Sequence, residues 1–90
     1  MKILKLTKQF KKDLKRIQNN PRKIENLNVV LEILAMGNPL PSEYKPHLLS
    51  GNYKGYMECH VESDSLLIWL DASESVIKLI RYGTHSELFG

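Results

Sequence analysis

The spacing of apolar residues differs between the two halves of this 90-residue chain, and that difference constrains the fold more than any other feature. Between residues 8 and 36 the apolar residues recur every three or four positions, which is typical of amphipathic helices. Between residues 54 and 82 the apolar residues fall into short runs separated by polar turns, with clear alternation over 56–61, which is typical of strands. The segment between the two halves cannot be helical because it contains three prolines, Pro39, Pro41 and Pro46.

Two helices are predicted in the first half. Thr7 is a suitable N-cap for a helix over 8–19. The pair Asn19-Asn20 ends that helix, Pro21 suits the first turn of the next, and Gly37 ends the second helix. The apolar face of each helix has the expected spacing: Phe10, Leu14 and Ile17 in the first, and Ile24, Leu27, Val30, Leu31 and Leu34 in the second. The pair predicts a helical hairpin.

Four strands are predicted around this hairpin. Residues 2–6 alternate and predict a short strand before the first helix. Three further strands, joined by polar turns at 62–65 and 71–75, are expected at about 54–61, 66–71 and 76–82. The element order β-α-α-β-β-β predicts an α+β fold, in which a helical hairpin packs on a mostly antiparallel four-stranded sheet. The whole chain, 1–90, is expected to be a single domain.

The net charge of +3 conceals an uneven distribution. Residues 1–25 carry nine of the 13 Lys and Arg side chains and two acidic ones, a balance of +7, whereas the rest of the chain has a balance of −4. Such polarity can concentrate an anionic partner, either nucleic acid or an acidic protein, at one end of the molecule. A solvated helix face accounts for the charges equally well. The basic residues of the first helix include Lys8, Lys12, Lys15 and Arg16.

The cysteine content and the N-terminus favour a cytoplasmic setting. Cys59 is the only cysteine, so the chain cannot form an intramolecular disulfide. We expect it to be a small buried apolar residue rather than a reactive thiol. No secretory signal is visible, and no apolar stretch approaches the roughly 20 residues that span a bilayer.

Histidine is the residue type most suited to proton transfer near neutral pH, because its unperturbed pKa is about 6.5. All three histidines lie in the second half of the chain: His47, His60 and His85. Strand alternation gives Met57, Cys59 and Val61 to the core face, so His60 is expected on the opposite, polar face together with Tyr56 and Glu58.

The predicted topology brings further polar residues towards His60. Asp64 lies in the turn after its strand, and in a three-stranded meander this turn lies at the same edge as His85. His47 follows the proline-rich loop at the start of the strand, so the loop must curve for His47 to meet His60.

These residues allow two kinds of chemistry. Metal binding by these four side chains lacks any HxxxH or HExxH spacing, whereas general acid–base catalysis with a cation such as Arg81 suits RNA cleavage.

Three segments of the second half carry a family resemblance. They are Tyr44–Tyr56, Glu58–Asp64 and Arg81–Gly90. These segments resemble the YafQ branch of the RelE-superfamily bacterial toxins, with three histidines, an aspartate and a C-terminal aromatic in register. The predicted element order, the size and the basic balance agree over the whole chain.

The resemblance implies the toxin of a type II toxin–antitoxin pair, a metal-independent ribonuclease without a cofactor that cuts mRNA in the ribosomal A site. His85 then corresponds to the general acid and His60 or His47 to the general base. Asp64 orients a histidine or the ribose, and Arg81 stabilises charge at the phosphate. The residues expected to contact substrate are Phe89, Lys45 and Lys54.

The resemblance also implies partners. An acidic antitoxin binds the toxin, operator DNA is reached only through that complex, and the basic first helix grips ribosomal RNA through its phosphates. One position departs from the family pattern: Ser65 stands where a well-known member has a tryptophan.

The main alternative function is that of a non-catalytic binding module. The same fold includes ParE-like toxins, which target gyrase and lack the histidine set.

Overall fold

The computed structural model describes residues 1–90, and its elements follow the predicted order with two additions. The strands are β1 (Ile3–Leu6), β2 (His47–Leu48), β3 (Met57–Glu62), β4 (Ser65–Asp71) and β5 (Val76–Gly83). The helices are α1 (Lys8–Lys15), α2 (Pro21–Ala35) and α3 (His85–Phe89), and short 3₁₀ turns occupy Ser42–Tyr44 and Gly51–Tyr53. The α+β class is therefore confirmed, whereas α3 and β2 were not predicted.

A single mixed sheet has the strand order β1-β5-β4-β3-β2. β1 pairs with β5 in parallel, and the other three pairings are antiparallel. The prediction of a mostly antiparallel sheet is thus confirmed, but the sheet has five strands instead of four. β2 is the additional strand, in which His47 pairs with Glu58 and Leu48 with Met57. The segment after Pro46 contains no further proline, so its N–H groups are free to join the ladder.

The helical hairpin covers one face of the sheet and forms the main core. α1 ends at Lys15 rather than at residue 19, because the N–H groups of Arg16 and Ile17 donate to carbonyls three residues back and tighten the chain. α2 is capped by the Asn20 side chain and ends before Gly37, whose φ is +75°. None of the three helices could span a bilayer. The main core contains Phe10, Ile17, Leu27, Val30, Leu34, Cys59, Val61, Leu67, Trp69, Ile77, Leu79 and Tyr82.

A smaller apolar cluster lies on the opposite face of the sheet. Leu66 and Ile68 of β4 pack there against Leu88 of α3. α3 has a capping box: the Thr84 hydroxyl accepts from the Glu87 N–H, and the Glu87 carboxylate accepts from the Thr84 N–H at 2.7 Å. The Thr-x-x-Glu spacing was therefore a helix signal that the sequence analysis missed.

Asp13 joins α1 to the end of β5. Its side chain is fully buried, and Oδ2 accepts from Arg81 Nε and from the Tyr82 N–H, both at 2.9 Å. Oδ1 lies 3.1 Å from Arg16 Nη2 and accepts from Gln9 at 3.2 Å. A buried carboxylate is tolerated only when its lone pairs are satisfied in this way, so Asp13 fixes the position of α1 along the strand edge.

A β-bulge at Ile80 determines where Arg81 points. Arg81 pairs with Ile68 and Leu79 with Trp69, so Ile80 has no partner on β4. Simple alternation would place residue 81 on the core face with Leu79. The extra residue instead returns Tyr82 to the core and releases Arg81 towards Asp13.

Removal of the Asp13 carboxylate tests this account of the fold. Asp13→Ala is expected to lower the free energy of unfolding by about 3–5 kcal/mol, because it leaves the partly buried Arg81 charge unpaired. Asp13→Asn, which keeps one carbonyl acceptor, should fall between this variant and the parent. Asp71→Ala, an exposed control, should change stability by about 0.5 kcal/mol or less. Urea unfolding measures all three, and an Asp13→Ala value equal to that control contradicts the account.

The pH dependence of α3 tests the capping box. The hydrogen bond from the Thr84 N–H lowers the pKa of Glu87. Glu87 therefore stabilises α3 above its unfolded pKa of about 4.3, and this contribution is lost as the pH falls through the lower folded value. Contacts between Phe89 and Tyr53 in NMR spectra should weaken on acidification in the parent protein. They should be less sensitive to pH in Glu87→Gln, and an identical acid response of both proteins contradicts the assignment.

Candidate active site

His47 and His60 lie side by side on the sheet face opposite the helical hairpin. The pairing of β2 with β3 sets His47 directly across from Glu58, and His60 follows two residues later on the same face. The two imidazole rings have centroids 6.4 Å apart. The proline-rich loop therefore has the curvature that brings His47 to His60. His47 Nε2 lies 3.0 Å from Glu58 Oε1, and its Nδ1 lies 2.7 Å from the Lys45 carbonyl oxygen.

Leu66 of β4 lies between His60 and the end of β5 that leads to His85. Leu66 of β4 pairs with His60 on one side and with Gly83 on the other, so His60 and Gly83 are separated by two strand spacings, or about 10 Å. His85 follows Gly83 as the first residue of α3 and is exposed. An apolar strip at Leu66 thus separates the His47–His60 pair from the helix that carries His85.

A series of aromatic rings runs from His85 through Phe89 and Tyr53 to Tyr56. The Phe89 ring centroid lies 5.1 Å from His85 and 5.7 Å from Tyr53, which it meets edge-on. Tyr56 lies 6.0 Å from Tyr53. These rings lie on the same sheet face as the small apolar cluster around Leu66, and Phe89 remains 42% exposed. The group offers flat surfaces on which a nucleobase can stack. Phe89 is the substrate contact expected from the sequence, whereas the place of Tyr53 beside it was not predicted.

Arg81 is held by Asp13 and is only 17% exposed. Hydrogen bonding to the Asp13 carboxylate raises the pKa of Arg81, so its positive charge is permanent. Nε and Nη2 both donate to Asp13, and a side-chain hydrogen bond with Tyr53 also contributes to the raised pKa of Arg81. A cation of fixed direction is suited to meeting a phosphate, but only through the donors that Asp13 does not use.

Asp64 and the two lysines predicted to meet substrate are exposed. Asp64 lies in the β3–β4 turn, at the same end of the sheet as Gly83, and its side chain makes no hydrogen bond or ion pair. The structure thus places it at the same end as His85 without a direct bond between them. Lys45 contributes its carbonyl to His47, while Lys54 follows the second 3₁₀ turn.

Ser65 points away from the histidines. It is 2% exposed, and its hydroxyl accepts from Lys23 of α2 at 3.1 Å. The position at which a well-known family member has tryptophan therefore faces the helices in this chain. Its change to serine removes no stacking surface from the histidine face.

Cys59 is fully buried in the main core. Burial, together with the neighbouring Glu58 carboxylate, raises the pKa of Cys59 to about 12, so its thiol remains protonated at neutral pH. This agrees with the expectation of an unreactive buried side chain.

No three His, Cys, Asp or Glu side chains converge closely enough to hold a metal ion.

The burial of Glu58 was not predicted either. The residue was placed on the polar face, yet it is only 6% exposed. The missed signal was the strand pairing with His47, which required β2 to be recognised. The burial of Asp13 could have been predicted from the sequence, because Asp13 lies three residues after Phe10 and so falls close to the apolar face of α1.

Comparison with known proteins places the chain in a family. A family model described as the bacterial toxin of a type II toxin–antitoxin system, YafQ, matches residues 2–90. The mRNA interferase toxin YafQ of Escherichia coli K12 is 37% identical over 83 residues, which cover 91% of this chain and 89% of that protein.

Solved structures agree with the sequence match. The E. coli DinJ–YafQ complex contains a chain with a TM-score of 0.87 and 34% identity, covering 100% of both chains. A metal-bound toxin from Helicobacter pylori has a TM-score of 0.87 and 39% identity, covering 99% of this chain and 100% of that one. The resemblance of the three sequence segments is thereby confirmed: the chain belongs to the YafQ family of bacterial toxins from type II toxin–antitoxin systems.

Proposed function

We propose that this chain is a ribosome-dependent endoribonuclease that cuts mRNA in the ribosomal A site and so inhibits translation. The observation that carries the proposal is that His47 and His60 lie 6.4 Å apart on the sheet face that the helical hairpin leaves uncovered, while the end of β5 that leads to His85 lies two strands away. The E. coli relative is named an mRNA interferase toxin, which supports the same activity here.

The proposed reaction needs a base, an acid and a cation. His60 or His47 takes the proton of the 2′-hydroxyl, whose oxygen attacks the adjacent phosphorus. His85 protonates the departing 5′-oxygen, and Arg81 offsets the charge that develops on the phosphate. Asp64 orients a histidine or the ribose. The separation of about 10 Å between the strands of His60 and Gly83 leaves room for a phosphodiester between base and acid.

Substrate contacts are proposed at both margins of this face. Phe89 is exposed beside His85 and can stack on a base, and Tyr53 contacts its ring edge-on. Lys45 and Lys54 are exposed near the His47 and Tyr53 margins and can approach RNA phosphates.

The basic face of α1 is proposed to meet ribosomal RNA. Lys8, Lys12 and Lys15 are exposed and form no ion pair, so their charges are free to meet phosphates. Arg16 is less available, because it contacts Asp13 and lies 3.3 Å from Glu87. The contribution of Arg16 is therefore expected to be smaller than that of the three lysines.

A protein antitoxin is the second proposed partner. The E. coli relative is solved in complex with DinJ, and the basic balance of α1 suits an acidic partner. Contact with operator DNA is proposed only through that toxin–antitoxin complex. Because translating ribosomes are the proposed target, we place the activity in the cytoplasm.

A non-catalytic toxin is the alternative that the site argues against. A toxin that acts only by binding has no need of acid–base groups on one face, whereas this chain has two neighbouring histidines, His47 and His60, on its uncovered face. The two functions differ in one observable, since only the nuclease leaves cuts within a translated message.

Alanine substitution of the proposed acid and base tests the function. His60→Ala and His85→Ala are each expected to lower cleavage by about 10²–10⁴-fold, as is usual for loss of a general acid or base. Primer extension on an mRNA, translated with each purified protein, locates the cuts within codons and measures their yield. The parent protein should cut only when ribosomes translate the message.

Two controls make the result decisive. Glu74→Ala, in the exposed β4–β5 turn, should cut like the parent, and circular dichroism should show that both histidine variants retain the fold. Full cleavage by both variants contradicts the catalytic assignment. Inhibition of translation without any cut would instead favour the non-catalytic alternative.

A further inference from the structure

Gly83 is the last residue of β5, and α3 packs against the strand that it ends. Its φ is not in the left-handed region, so the backbone would accept a side chain there. The space above it would not. A Cβ at this position would lie 2.9 Å from Glu87 Oε1, 3.3 Å from Leu88 Cδ2 and 3.4 Å from Arg16 Nη1. At the first of these distances one of the two atoms would have to move.

The Glu87 carboxylate is not free to move away. Oε1 accepts from the Thr84 N–H at 2.7 Å, and Oε2 lies 3.3 Å from Arg16 Nη1. The same guanidinium contacts the buried Asp13 through Nη2, at 3.1 Å from Oδ1. One carboxylate oxygen of Glu87 is therefore committed to the start of α3 and the other to α1. A side chain at Gly83 would break at least one of these contacts.

The position of α3 matters because the helix carries two residues that are proposed to meet the substrate. His85 is its first residue and Phe89 its last, and their ring centroids lie 5.1 Å apart. Between them Leu88 is 7% exposed and packs against Leu66 of β4. A helix of five residues is too short to be stable by itself, so its place depends on contacts with the rest of the chain.

We propose that Gly83 and Arg16 are positioning residues of the nuclease. The missing side chain at Gly83 lets the Glu87 carboxylate lie between α1 and α3, and Arg16 holds it there. These three residues, the α3 clamp, fix where His85 presents its imidazole. Arg16 then acts within the protein rather than as a fourth phosphate contact beside the lysines of α1. The catalytic part of this inference rests on the proposed nuclease function, whereas the clamp itself does not.

NMR spectra of the free protein test the clamp without the ribosome. The ring of Phe89 contacts that of Tyr53, which lies outside α3, at a centroid distance of 5.7 Å. Gly83→Ala should weaken the contacts between these two rings, because α3 must shift to admit the new methyl group. Arg16→Gln should weaken them less, because the capping box of α3 remains.

Two exposed positions provide matched controls. Ser86→Ala makes an equally small change within α3, and Arg22→Gln removes one charge at the start of α2. Neither side chain belongs to the clamp or to the proposed active site. Both variants should keep the ring contacts of the parent protein, and both should cut mRNA like the parent.

Cleavage of translated mRNA, measured over a range of ribosome concentrations, gives the second readout. Gly83→Ala should lower the maximal rate by about 10- to 100-fold, as expected when a catalytic group is displaced by roughly 1 Å. Arg16→Gln should lower it by about tenfold, and the ribosome concentration for half-maximal cleavage should stay near that of the parent. Arg16→Gln combined with Glu87→Gln should cut no more slowly than Arg16→Gln alone, because both changes remove the same ion pair.

The outcomes separate the clamp from the nuclease function. A parent-like maximal rate or unchanged ring contacts in both Gly83→Ala and Arg16→Gln would overturn the proposal. So would a higher half-maximal concentration at an unchanged maximal rate in Arg16→Gln, which is the result of losing a phosphate contact. If circular dichroism shows that Gly83→Ala does not fold, Arg16→Gln and the double variant decide. If the ring contacts respond as expected but the parent cuts no mRNA, the nuclease function fails while the clamp stands.

Discussion

The buried carboxylate of Asp13 is the interaction on which the rest of the structure depends. It binds the strand edge at Tyr82, holds Arg81 in one direction and contacts Arg16. Arg16 in turn reaches Glu87, the residue that caps α3. A continuous series of charged contacts therefore runs from the first helix to the short helix that carries His85 and Phe89. The position of the proposed acid is in this way coupled to the packing of the main core.

The two faces of the sheet have different roles: one packs the main core and the other carries the proposed catalytic residues. Its helix-covered face contains the main core, whereas the other face has only the small cluster around Leu66 and leaves room for the histidines. This division follows from strand alternation in β3, where Cys59 and Val61 point to the core and His60 points away. The β-bulge at Ile80 interrupts the same alternation in β5 and so removes Arg81 from the core face.

The sequence predicted the features that depend on periodicity and local signals. The helical hairpin, the meander and the face of His60 follow from apolar spacing, and the glycine after α2 marks its end. Features that depend on distant pairing could not be predicted. β2 is two residues long and exists only because β3 lies beside it, and the partnership of His47 with Glu58 depends on that register. The capping box of α3 was a local signal, but the helix it begins has only five residues and no periodic pattern.

The chemical nature of the cut ends tests the central claim most directly. Attack by the 2′-hydroxyl, assisted only by acid and base groups, forms a 2′,3′-cyclic phosphate on one fragment and a free 5′-hydroxyl on the other. The account predicts that fragments from translated mRNA are labelled by a polynucleotide kinase without prior removal of phosphate. Fragments that carry a 5′-phosphate and a 3′-hydroxyl would show attack by water instead, and would contradict the catalytic role proposed for the histidine face.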